Sequence, residues 1–125
     1  MKEKEKTMES TRAKPRFDAL ELALEVVAVL ADGPLEAIRR KDKNLADQLD
    51  RASTSAVLNL AEGSRRRGRD RAHFYAIADG SREESRLAIR VAAAKRLISG
   101  IDAAKVDALM DRHAAVMFRL LRARS

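Results

Sequence analysis

An all-α fold, an antiparallel up-down-up-down four-helix bundle, is the class this chain predicts, and three observations carry the prediction. Apolar residues recur every three or four positions over long stretches, which is helical rather than strand spacing. Aromatics make up only 3% of the residues while Ala and Leu abound, a composition suited to close helix packing rather than a β-sandwich. Asp32-Gly33-Pro34, Gly68 and Gly100 divide the pattern into pieces joined by short connections. At 125 residues the chain has the length of one domain with one core.

The elements follow in order. Residues 1–15 are rich in lysine and glutamate, have no apolar period and end at Pro15, so a disordered tail is expected there and a helical domain over 16–125. From Phe17, the spacing of Leu20, Leu24, Val27 and Ala31 predicts the first helix, with Glu21 and Glu25 near its start. Gly33 and Pro34 interrupt it, but proline is acceptable in a first helical turn, so Leu35 and Ile38 extend the rod as a kinked piece to about Lys41. Asn44 is the expected cap of the second helix, which buries Leu45, Leu49, Ala52, Ala56 and Leu60 and ends near Gly68. Asp70 is the expected cap of the third, with Phe74, Ile77, Ser81, Glu84, Ala88, Val91 and Ile98 on one face and its end at Gly100. Gly80 inside that helix costs about 1 kcal/mol relative to alanine, so a neighbouring helix is expected to approach closely there. Asp102 caps the fourth helix, whose stripe is Val106, Leu109, His113, Val116 and Leu120.

Charge and composition narrow the function. The net charge is +7, and the segment 51–72 alone carries six basic against two acidic residues. Such local asymmetry suits a polyanion better than a small acidic substrate. There is no cysteine, so disulfides and thiolate metal sites are excluded and a reducing cytoplasm is the expected compartment. No apolar run approaches the roughly 20 residues of a membrane span, so no membrane partner is expected.

Two groups of polar residues stand out. On the second helix Arg51, Ser55, Asn59, Glu62 and Arg66 are spaced four, four, three and four apart and form one stripe flanked by small and apolar residues. With Ser81 and Glu84 of the third helix they are expected to make a mutually satisfied polar network, because burying Asn59 and Glu62 unpartnered costs several kcal/mol. Paired carboxylates could also hold metal, but neither histidine stands three residues after a glutamate, as a di-metal bundle requires. The second group is Arg65, Arg66, Arg67, Arg69 and Arg71, five arginines in seven residues. The run from Gly63 to Asp70 imitates a phosphate-binding loop only superficially: Arg69 replaces its lysine, Asp70 its hydroxyl, and no strand precedes it. Arginine forks onto phosphate oxygens, so these five are the candidate nucleic-acid contacts. The alternative is a solvated helix end whose cations complement the dipole. No recognition helix or aromatic stacking platform is evident, so contact is expected with backbone or shape rather than base edges. His113 lies on an apolar stripe and is expected in the core, while His73 is expected at the surface. No nucleophile, base or ligand set for catalysis is present, so neither enzymatic activity nor a cofactor is expected.

Arg51, Ala52, Ser55, Asn59, Ala61, Glu62, Gly63 and Arg66, followed by Phe74, Ile77, Ala78, Gly80, Ser81 and Glu84, form a pattern that resembles a bacterial family. These are the four-helix bundle proteins encoded in intervening sequences of 23S ribosomal RNA genes, and the resemblance spans about residues 17–123. Val57 stands where that family commonly has proline and Leu58 where it often has serine; neither lies on the polar stripe. The chain is also similar to the accessory variability determinant protein of diversity-generating retroelements. These resemblances imply a homopentameric ring, a nucleic-acid partner and, in the retroelement case, a reverse transcriptase as partner. The function expected is a non-enzymatic oligomeric nucleic-acid-binding or ribonucleoprotein scaffold. Its alternative is a structural protein–protein interaction module without nucleic-acid binding.

Overall fold

A computed structural model of the protein describes residues 15–123, with side chains described from residue 17. The tail expected over 1–15 lies outside them except for Pro15, which is the first residue of a helix, where its missing N–H is no loss. The described residues form five helices and no strand: α1 (Pro15–Ala31), α2 (Pro34–Lys41), α3 (Lys43–Ser64), α4 (Gly68–Ala94) and α5 (Gly100–Arg122). The fifth arises at Gly33, whose φ of 121° is left-handed backbone that ends α1, so Pro34 starts a separate helix rather than a continued rod.

Three expected caps are displaced, two of them by neighbours better placed to accept. Asp42, not Asn44, caps α3, its Oδ1 accepting from the Leu45 N–H at 3.0 Å. Ser99, not Asp102, caps α5, its Oγ accepting from the Asp102 N–H at 3.1 Å. Asp70 sits inside the first turn of α4, which begins at Gly68 after Arg67. That helix also stops earlier than Gly100: Arg96 turns left-handed at φ 59°, and the Leu97 and Arg96 N–H groups reach back to the Ala92 and Ala93 carbonyls. This closes the helix in the manner usually given to glycine, so composition did not flag it.

α3 packs along α4, α4 against α5, α5 against α1 and α1 against α3, with α2 laid on α3 and α1. The core is two apolar clusters. One gathers Ala19, Ala23, Leu60, Tyr75, Ala78, Val116, Met117 and Leu120, so the beginnings of α1 and α4 and the ends of α3 and α5 share one end of the molecule. The other gathers Leu30, Ile38, Leu49, Ile89, Ala92, Val106 and Met110 at the far end. Between them Ser53, Ser85 and His113 are buried, with Arg82 beside them around a small cavity.

The stripes of α3 and α5 are largely those expected, but α1 and α4 turn by about one position. α1 buries Ala19, Ala23, Val26 and Leu30 and leaves Leu24 43% exposed. α4 buries Tyr75, Ala78, Ser85, Ala88, Ile89 and Ala92, leaving Ile77, Glu84 and Val91 at the surface. α1 and α4 each have two apolar stripes, and the one inside carries Ala19, Ala23, Ala78, Ala88 and Ala92, small side chains that let helices approach. Gly80 lies on the outer side, and within the described residues nothing comes within 4 Å of a Cβ placed there, so the expected close approach is absent. It occurs instead at Gly63, where a Cβ would stand 2.6 Å from the Tyr75 ring.

Candidate nucleic-acid interface

The turn between α3 and α4 positions the arginine cluster, and its geometry divides the five into two roles. α3 ends with the Arg65 and Arg66 N–H groups bonded to the Glu62 and Gly63 carbonyls, and the chain reverses within three residues into Gly68, whose φ is 57°. Arg71, one turn into α4, points back: its Nε donates to the Gly63 carbonyl at 3.3 Å and its Nη2 lies 3.5 Å from that of Ser64. This guanidinium fills the place of a C-terminal cap, so Arg71 secures the turn. Arg66 is also engaged, with Nε 2.9 Å from Glu62 Oε2, Nη1 3.7 Å from Asp70 Oδ2, and its guanidinium 5.3 Å from the Phe74 ring centroid. Arg65, Arg67 and Arg69 are exposed, and no carboxylate pairs with them among the described residues. Three forks in a span of five residues are therefore available to an anion.

The expected polar network is drawn together only in part. The Ser55 and Ser81 hydroxyls are 2.8 Å apart across α3 and α4, and Asn59 Nδ2 donates to the Ser55 carbonyl at 2.9 Å and hydroxyl at 3.1 Å. Glu62 pairs with Arg66 of the same stripe, apart from these three, while Arg51 and Glu84 stand exposed, Glu84 without a hydrogen bond or ion pair among the described residues. The three that meet are half-buried on the outward side of the helix pair. Around them Leu58, Ile77, Leu87 and Val91 are exposed at 62%, 38%, 53% and 41%. A groove there is lined by Leu45, Gln48, Gly80, Glu83, Glu84, Leu87 and Val91.

The same end of the molecule holds residues that local sequence patterns did not connect to the arginines. Arg119 and Arg122 lie in the last turn of α5, with the exposed Phe118 just before them, and Phe17 lies at the start of α1. Asp18 is partly buried beside Arg119; burial raises its carboxyl pKa and the guanidinium partly offsets that. Phe74 packs edge-on to His73, which is exposed as expected. The signal that could have joined them is topological: four helices reversing at short turns return residues 17, 65–74 and 118–122 to one end.

His113 is 2% exposed, as its stripe implied. It hydrogen-bonds the backbone at Ala19, its Nε2 meets no partner among the described residues, and burial, aided by Arg82, lowers its pKa from 6.5 to about 4. Among the described residues, no group of three or more His, Cys, Asp or Glu could hold a metal ion. No helix of the described residues is long and apolar enough to cross a membrane.

A crystal structure of a protein of unknown function from the S23 ribosomal protein family of Bacteroides thetaiotaomicron superposes with a TM-score of 0.78. The match covers 87% of this chain and 99% of that one at 13% identity, so the likeness is one of fold. No curated protein matches the chain. The model of the 23S rRNA-intervening sequence protein family matches residues 17–119, which include α3, the arginine turn, α4 and nearly all of α5. With so much of its length matched, the chain belongs to the 23S rRNA-intervening sequence protein family.

Proposed function

We propose that this protein is a non-enzymatic nucleic-acid-binding scaffold that holds the phosphate backbone of RNA or DNA at the end of the molecule formed by the α3–α4 turn. One observation carries the reading: Arg65, Arg67 and Arg69 are exposed together without carboxylate partners, although Glu62 and Asp70 are close by and both go to Arg66. Exposed guanidinium groups without internal partners can exchange their counterions for phosphates, which is the main source of sequence-independent affinity. The family's connection with ribosomal RNA genes agrees with an RNA-related role. A reverse transcriptase as partner rests on the sequence resemblance alone. Titrating labelled RNA and DNA at several salt concentrations tests the proposal. Arg65→Ala, Arg67→Ala and Arg69→Ala together are expected to weaken binding and lower the salt slope; an unchanged slope would remove the site.

A second reading concerns assembly, favoured by the apolar side chains left outside on α3 and α4. In it the four long helices form an up-down-up-down four-helix bundle, and copies join through outward faces into a homo-oligomer, a pentameric ring being the expected form. Leu58 and Leu87, both more than half exposed, are what such a contact would cover. In a ring the arginine turns would be repeated, and weak phosphate contacts would act together. Light scattering at micromolar concentration is expected to give a multiple of the 13.9 kDa chain mass, and Leu58→Glu with Leu87→Glu to reduce it. A stable wild-type monomer would dismiss the assembly.

A further inference from the structure

All four aromatic residues of this chain, Phe17, Phe74, Tyr75 and Phe118, lie at the end of the molecule that carries the arginine turn. The far-end core is aliphatic throughout. Two of the four are committed internally: Tyr75 is 4% exposed against Gly63, and Phe74 is held between His73 and Arg66. The other two keep half or more of their surface exposed. Phe17 is 50% exposed at the mouth of a groove between α1 and α5 lined by Asp18, Glu21 and Glu25 as well as by Arg112 and Arg119, with Arg112 3.6 Å from the Glu25 carboxylate. Phe118 is 55% exposed, and the Arg122 guanidinium lies 3.4 Å from its ring centroid. Positions 118 and 119 are about 100° apart on α5, so Phe118 emerges on one side of that helix and the Phe17 groove on the other.

Exposed rings with guanidinium groups close by, most directly Phe118 with Arg122, have a use to a polyanion that a cation alone does not. Base-on-ring stacking needs an accessible aromatic face and an unstacked base, and guanidinium groups beside it can stack on the base or pair with its phosphate. A duplex keeps its bases stacked inside and offers such rings nothing. Resting on the backbone-binding reading above, we propose that the ligand is a single-stranded nucleic acid, its phosphates on Arg65, Arg67 and Arg69 and unpaired bases stacked on Phe17 and on Phe118 with Arg122. The chemistry recognised, unpaired bases on a polyphosphate strand, is common to RNA and DNA.

The experiment compares, for the full chain, a single-stranded oligonucleotide, its duplex and an abasic strand of equal length and charge, in RNA and DNA versions. The expected result is binding of the base-bearing strand at least about tenfold tighter than the abasic strand or the duplex. Phe17→Ala with Phe118→Ala removes most of that advantage and leaves the salt slope unchanged; the arginine substitutions lower the slope and leave the ratio of base-bearing to abasic affinity. Phe118→Trp, the chain's only tryptophan, restores the advantage and is quenched by the base-bearing strand but not by the abasic one. The RNA-to-DNA ratio of the base-dependent part identifies which strand is the source. Equal affinity for base-bearing and abasic strands overturns stacking while leaving backbone binding intact, since the arginine substitutions would still lower the slope. If the phenylalanine substitutions instead change only the mass in light scattering, the rings belong to a contact between copies and the proposal fails.

Discussion

The two ends of this molecule are built from similar charges and unlike cores. At the far end several cations have their own acids: Arg39 pairs with Asp47, Arg40 with Glu36, and Lys95, just after α4, with Asp42 between α2 and α3, while Lys41, Lys43 and Arg96 are exposed and unpaired among the described residues. At the near end Glu62 and Asp70 converge on Arg66, and its neighbours go unanswered. The far core is aliphatic and dense around Leu30, Ile38, Leu49 and Ile89, whereas the near core admits Tyr75 against a glycine and has phenylalanines at its margin. Net charge therefore says little about where a polyanion would bind. What matters is how closely the unused cations are set, and at the near end three unpaired guanidinium groups fall within five residues. On the reading proposed above, one end serves stability and the other contact.

That contrast can be broken from either side. The largest stability effect is expected from Ile38→Ala, a fully buried side chain of the far cluster, at about 2–5 kcal/mol in urea unfolding, with the nucleic-acid affinity of the folded protein unchanged. Next comes acid. The unfolded His113 imidazole takes up a proton near pH 6.5 while the folded one resists until about 4, so the unfolded state binds more protons in between. Stability is therefore complete above pH 6.5 and falls by on the order of 3 kcal/mol by pH 4, with Arg82 and Asp79 the charged groups facing the ring. His113→Leu has nothing to titrate and should flatten that part of the pH profile, measured by denaturant midpoint. Gly63→Ala forces a methyl to 2.6 Å from the Tyr75 ring and is expected to cost about 1–3 kcal/mol in thermal unfolding. Arg65, Arg67 and Arg69, exposed and unpaired, should change stability by no more than about 0.5 kcal/mol when replaced by alanine.

How much of this was legible in the sequence depends on how many apolar stripes a helix offered. α3 sets its leucines and alanines in one regular stripe, with Leu58 apart from it, so Leu45, Leu49, Ala52, Ala56 and Leu60 are buried where spacing places them. α1 and α4 each have two, and hydropathy favours the bulkier, while packing selects the alanines that allow close approach. The arginine run was visible as a run. Its division was not, because Arg71's role depends on carbonyls seven and eight residues earlier being left open at a helix end. Phe17 and Phe118 were invisible as a pair because only the return of α1 and α5 to one end relates them. Arg51 and Glu84 joined the expected network by register alone; the structure turns both to solvent.

The most direct test sets the two ends against each other at equal charge loss. One variant carries Arg65→Ala, Arg67→Ala and Arg69→Ala; the other carries Lys41→Ala, Lys43→Ala and Arg96→Ala at the far end. Each loses three positive charges, and single-strand binding is measured over a range of salt. The near-end variant should lose about 2 from the slope of log affinity against log salt, and the far-end variant should match the wild type. Equal losses in both variants would mean that net charge alone attracts the nucleic acid, and that the arginine turn is not its site.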